Sequence, residues 1–146
     1  MTTVSPRVQF FVPGSPAPQG SKAFKGFAGN GRAVLVESSK ALKPWRLLGA
    51  RFAIDAMRLA GHGKPFAGPV TVDLAFVMPR PKSAPKTRVV AAVKRPDIDK
   101  LARGCLDFLT GTCVVDDSQV VGLYAMKRIA LPGEGPGCEI TVMEGP

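Results

Sequence analysis

The chain has few of the residues that would staple it covalently or build a soft-metal site. Its 146 residues include three Cys and one His. No two Cys stand in Cys-x-x-Cys spacing, so neither a disulfide framework nor a zinc finger is expected. His62, between Gly61 and Gly63 with no second His or Cys nearby, reads as a surface residue. Long apolar runs are also missing, and Met1-Thr2-Thr3-Val4-Ser5-Pro6-Arg7 has no apolar stretch after a basic start. Neither a membrane span nor a signal peptide is therefore expected, and the chain reads as a soluble, cytoplasmic protein. Its length suits a single domain covering residues 1–146.

Acid is the scarcest commodity, and it is scarce unevenly. Residues 1–96 carry 16 Lys and Arg against 3 Asp and Glu, whereas residues 97–146 carry 4 against 8. The two parts thus bear +13 and −4, for a net charge of +9. Such an excess of positive charge calls for a polyanionic partner, nucleic acid first. A membrane surface suits it less, because the cations lie mostly in segments broken by Pro and Gly rather than along one amphipathic helix.

The acid that exists is concentrated in Asp97, Asp99, Asp107, Asp116 and Asp117. Carboxylates crowded together raise one another's pKa unless a cation neutralises them. A hard divalent ion takes one or two carboxylates plus water and substrate phosphate, so an Asp cluster beside a basic surface suits Mg²⁺ or Mn²⁺ and chemistry on phosphates. The competing explanation is local: Asp97 or Asp99 caps a helix, and Asp116 and Asp117 make a turn.

The pattern of elements supports a particular layout. Val8–Val12 reads as a strand ended by Pro13-Gly14, and residues 15–27, rich in Pro, Gly and Ser, read as a loop carrying Lys22 and Lys25. Leu42, Trp45, Leu48 and Phe52 recur at helical spacing up to about Ala60, with Pro44 in the first turn. Residues 69–78 read as a strand. Arg80, Lys82, Lys86, Arg88, Lys94 and Arg95 then form the densest basic segment, free of acid and running straight into Asp97. Residues 98–109 read as a second helix, with Leu101, Cys105 and Phe108 on its apolar stripe. Cys105 is therefore core rather than nucleophile, and Asp97 and Asp99 stand at the helix head, where the macrodipole favours ionised carboxylates. Arg103 shares a face with Asp99. A turn at Asp116-Asp117-Ser118 leads to strands over about 119–130 and 138–143. The expected fold is α+β: a small mixed β-sheet with two main helices packed on it, in the order β-α-β-α-β-β.

The stretch from Arg95 to Lys127 resembles the RusA family of Holliday-junction resolvases. It has an Asp-x-Asp opening a helix, a basic residue four positions after the second Asp, a further Asp in that helix, and Val115-Asp116-Asp117-Ser118-Gln119-Val120 at a strand entry. The resemblance implies that Asp97, Asp99 and Asp117 are catalytic and bind Mg²⁺, with Mn²⁺ able to substitute. It implies that Arg103 stands where the family has a catalytic lysine, and that Lys100 replaces a customary Asn. Asp107 and Asp116 match Asp positions without an assigned role, Asp116 being a candidate additional ligand. It further implies a homodimer that cuts four-way DNA junctions by paired nicks in recombination and repair, near the nucleoid and in a phage or prophage setting. DNA contacts are expected from Lys22, Lys25, Arg80, Lys82, Lys86, Arg88, Lys94, Arg95 and Lys100. Two alternatives share these features: a non-catalytic basic nucleic-acid-binding module, and a metal nuclease acting on flaps or RNA.

Overall fold

The computed structural model describes residues 5–20, 22–27, 29, 33–37 and 40–145, and for 22–27 and 33–37 the backbone alone. Strand β1 (Arg7–Pro13) buries Val8, Phe10 and Val12 and exposes the residues between them, the period-two pattern of a strand covered on one face. Three more strands complete the main sheet: β4 (Val70–Met78), β5 (Val120–Ile129) and β6 (Gly137–Glu144). Their order is β1-β6-β4-β5. β6 runs antiparallel to both β1 and β4, while β4 and β5 are parallel. The parallel pair needs a crossover, which helix α2 (Ile98–Leu109) supplies.

The α+β expectation holds, with the expected order preserved across the main sheet. One addition was not foreseen. Residues 22–27, read as loop, form strand β2 (Lys22–Phe27), paired antiparallel with β3 (Ala33–Glu37) in a separate two-stranded sheet. The pairing brings Lys22 opposite Glu37 and Phe24 opposite Leu35, with an irregularity before Phe27. The side chains of Lys22 and Lys25 lie outside the described residues.

Helix α1 (Leu42–Leu59) accepts Pro44 in its first turn, where the missing N–H breaks no helical bond. Together α1 and α2 cover one face of the sheet. Trp45, Ala53 and Met57 from α1 and Leu101, Cys105, Phe108 and Leu109 from α2 meet Val72, Leu74, Phe76, Ile140 and Val142 beneath them. Trp45 and Phe108 pack edge to face, centroids 6.1 Å apart. Truncating a buried ring such as Phe108 to Ala costs about 3–5 kcal/mol. Two glycines set how closely the helices approach. A Cβ on Gly49 would stand 2.4 Å from the Phe108 ring, and one on Gly104 would stand 2.7 Å from the Ala17 carbonyl oxygen. Gly104 thus lets the segment 15–20 lie directly on α2, where the Gln19 N–H donates to the Lys100 carbonyl at 3.0 Å.

All three cysteines are buried and unpaired. Burial pushes the Cys105 thiol well above its ordinary value and Cys113 up to about 11, so neither is a thiolate at neutral pH. His62, read as a surface residue, is instead half-buried, its ring edge-on to Phe66 and its Nε2 3.2 Å from the Arg7 carbonyl oxygen.

Candidate active site at the head of α2

The chain enters α2 through the long irregular segment that follows β4. Arg80 anchors the start of this segment. Its guanidinium donates to the carbonyls of Ala130 (3.2 Å), Arg88 (3.0 Å) and Pro85, tying the basic stretch to the end of β5. Lys127, half-buried on β5, anchors the other end, its Nζ donating to the carbonyls of Lys94 at 2.9 Å and Pro96 at 2.8 Å. Between these anchors Lys82, Lys86, Arg88, Lys94 and Arg95 stay exposed. Arg80, expected as a DNA contact, is thus occupied by backbone, while its neighbours remain available to solvent.

Asp97 is the N-cap residue of α2, extended at φ −69° and ψ 144°. Its carbonyl accepts the Leu101 N–H at 3.1 Å, but its carboxylate makes no capping bond. Asp99 lies in the first turn. Both are exposed, and among the described residues neither carboxylate takes a hydrogen bond or joins an ion pair. A cavity of about 710 Å³ opens beside Asp97, walled by Arg95, Lys100 and the segment 15–20.

The second acidic element lies where β5 begins. Asp117–Gln119 forms a 3-10 turn in contact with α2. Asp116 forms a capping box with Gln119: the Asp116 carbonyl accepts the Gln119 N–H at 3.1 Å, and Gln119 Oε1 accepts the Asp116 N–H at 2.8 Å. Ser118 Oγ donates to Asp116 Oδ2 at 2.8 Å, and this bond is the main reason the Asp116 carboxyl is held below its usual pKa. Asp117, next to it, is exposed. The Gln119 amide is used on both sides, because Nε2 also donates to the carbonyls of Phe66 (2.7 Å) and Gly68 (2.9 Å). That side chain fastens the turn to the segment entering β4.

The expected site residues therefore divide. Asp97 and Asp99 share the head of α2, and Asp117 opens the turn packed against that helix. Asp107 stands ten residues beyond Asp97, about 15 Å along the helix, in a different groove between α1 and α2. Arg103 is exposed, one turn from Asp99, and in no ion pair among the described residues. Among the described residues no three His, Cys, Asp or Glu side chains form a ready-made metal cage. The donors present are solvent-facing carboxylate oxygens, the kind Mg²⁺ takes one or two of while keeping water and phosphate for its remaining positions. That donor chemistry fits a hard cation in an open site. Sequence reasoning missed the roles of Gln119 and Lys127. Gln119 stands in the quoted motif with nothing to mark it as a clamp, and the carbonyls Lys127 reaches belong to a distant stretch of chain.

Among curated proteins, the uncharacterized protein YqaN of Bacillus subtilis (strain 168) is 26% identical over 149 residues, covering 94% of this chain and 96% of that protein. A family model described as endodeoxyribonuclease RusA matches residues 13–143. The matched region runs from the last residue of β1 into β6 and takes in both helices and both acidic elements, so the chain belongs to the endodeoxyribonuclease RusA family.

Proposed function

We propose that this nuclease-family chain is a Mg²⁺-dependent, structure-selective endodeoxyribonuclease that resolves four-way DNA junctions, acting as a homodimer that places paired symmetric nicks during recombination and repair. The observation that carries the reading is the uncommitted Asp97 carboxylate: a residue placed to cap α2 leaves its side chain unused beside a cavity that Arg95 and Lys100 also line. Asp97, Asp99 and Asp117 would hold the metal, with Mn²⁺ able to substitute. A bound ion would supply the means to activate an attacking water and to stabilise the departing 3′ oxygen. Arg103, permanently charged and one turn from Asp99, clamps the scissile phosphate and offsets the charge that develops there. Since guanidinium does not deprotonate, Arg103 serves as an electrostatic partner and not as a proton donor. Lys82, Lys86, Arg88, Lys94, Arg95 and Lys100 draw in the phosphate backbone, as would Lys22 and Lys25, while Arg80 holds the segment that presents them.

The test is incubation of labelled four-way junction, linear duplex and single strand with Mg²⁺ or with EDTA. Cutting of the junction alone, at symmetric positions and only with Mg²⁺, is the expected result. Junction binding without metal-dependent cleavage would make the chain a binding module. Equal cutting of flaps or RNA would move the substrate class.

A further inference from the structure

A second groove, of about 750 Å³, lies between the head of α1 and the tail of α2. Lys40, Lys43 and Arg46 line one side, and Gln19, Asp107 and Thr110 contribute on the others. The three cations are exposed and join no ion pair among the described residues, and the first turn of α1 contains no acid. Among the described residues lining it, three positive charges stand against the carboxylate of Asp107, so these residues leave it net positive. It is not isolated from the head of α2. Lys40 and Gln19 line it, while their chain neighbours Ala41 and Gly20 line the cavity beside Asp97. The segment that contributes to both is held to α2 by the Gln19 N–H bond to the Lys100 carbonyl, at 3.0 Å.

Resting on the nuclease reading above, we propose that this groove is a second DNA-backbone contact, in which Lys40, Lys43 and Arg46 hold the phosphates of a duplex arm leading away from the cut. Charge complementarity selects the occupant. B-form DNA carries one negative charge per 1.7 Å of axis, and a surface that gathers three unpaired cations within two helical turns meets that density where a neutral or basic protein partner would not. The Lys43 and Arg46 side chains, three residues apart, sit one turn from each other and can grip neighbouring phosphates. The head of α2 then handles the reacting phosphate, and the head of α1 sets the direction of the arm.

The experiment measures junction affinity in EDTA against salt for the wild type, for Lys40→Gln/Lys43→Gln/Arg46→Gln, and for a control, Arg7→Gln/Arg58→Gln/Lys64→Gln. The control lowers the net charge equally at the far end of α1, where Arg58 is roughly 22 Å from Lys43. The groove variant should flatten the slope of log K against log salt by roughly 0.9 for each lost contact, and the control should leave it nearly unchanged. Junctions whose arms are trimmed until they no longer reach the groove should bind both variants alike. Equal slopes for wild type and groove variant, or equal flattening by the control, overturns the proposal while leaving the nuclease reading intact. A wild type that neither binds nor cuts junctions sinks that reading and this one with it. Should the triple variant misfold, the single changes Lys43→Gln and Arg46→Gln, each expected to flatten the slope by roughly 0.9, decide the matter.

Discussion

Asp97 and Asp116 occupy the same position in two short pieces of helix and do opposite things. Each is the N-cap residue, each has extended backbone, and each is followed closely by a second acid. Asp116 spends its carboxylate on the turn it starts, accepting the Ser118 hydroxyl at 2.8 Å. Asp97 leaves its carboxylate out of α2 altogether. An N-cap bond is worth about 0.5–2 kcal/mol, so a helix that forgoes it from a residue able to make it gives up stability without structural return. The contrast is between a carboxylate without a hydrogen-bond partner among the described residues and one engaged by its own turn, a distinction that the letters Asp-x-Asp and Asp-Asp do not carry.

The largest expected effect breaks the comparison directly. Asp97→Asn, Asp99→Asn and Asp117→Asn should each abolish nearly all junction cutting, and a double variant should lose little more, because residues acting as a unit are strongly non-additive. Asp116→Asn, which keeps an oxygen to accept the Ser118 hydroxyl, should cut at a rate close to wild type. Single-turnover assays in Mg²⁺ read both. Near wild-type cutting by Asp97→Asn, or a dead Asp116→Asn, would show that the two caps are assigned the wrong way round. In EDTA the Asp117→Asn protein should bind junctions as tightly as wild type or tighter, since one repelling charge is gone.

Next in size is Arg103. Removing a preorganised charge at a reacting phosphate costs ~10²–10³ in rate. Arg103→Ala should slow cutting by that order with affinity little changed, and Arg103→Lys should retain much of the activity. If Arg103→Ala cuts as fast as wild type, the side chain is only a solvated residue on an exposed helix face.

A smaller loss should follow from loosening the turn that carries Asp117. Gln119→Ala removes the bonds to the Phe66 and Gly68 carbonyls and half of the capping box. At about 0.5–1.5 kcal/mol net per bond, the protein should be modestly less stable. The Mg²⁺ concentration needed for half-maximal cutting should rise more than the rate at saturating Mg²⁺ falls, since a mispositioned ligand weakens metal affinity first. An unchanged metal requirement alongside lowered stability would leave Gln119 as a structural clamp alone.

Much of this layout was legible in the sequence, for local reasons. The apolar stripe of α2 and the acid at its head bound that helix at residues 98 and 109, a short apolar run ended by Pro13-Gly14 located β1, and alternation located β4. What was not legible depends on chain meeting distant chain. Strand β2 lies in a stretch, residues 15–27, whose Pro and Gly content reads as loop, and pairing with β3 supplied what propensity lacked there. Neither the parallel β4–β5 pairing nor the clamps at Arg80, Gln119 and Lys127 could be foreseen, because each joins residues brought near only by the finished fold. The proposed site residues were chosen as types in a pattern, whereas the difference in engagement between Asp97 and Asp116 depends on which carboxylate has a partner in the fold.

The smallest expected effect sharpens the comparison from its far end, with a carboxylate more fully engaged than that of Asp116. Glu134 receives both arms of the Arg128 guanidinium, at 2.6 and 2.7 Å, and the Leu131 N–H at 2.9 Å. The Arg128 bonds, and after them the Leu131 N–H, hold its pKa down from 4.5 to about 2. A carboxyl depressed in the folded state stabilises that state above its unfolded pKa, and the contribution disappears as pH falls through the folded value. The relevant window therefore runs from about 4.5 down to about 2. Both side chains face solvent, so the pair contributes little to overall stability. The informative readout is the titration of the Glu134 side-chain carboxyl by NMR: near 2 in the wild type, and moved part of the way back toward 4.5 in Arg128→Gln, where the Leu131 N–H still holds it. Cutting should be unaffected, since the pair lies in the turn between β5 and β6 and not at the head of α2. A wild-type Glu134 that titrates at 4.5 would mean that the pair does not persist in solution, and that engagement seen at a surface carboxylate is no guide to its use.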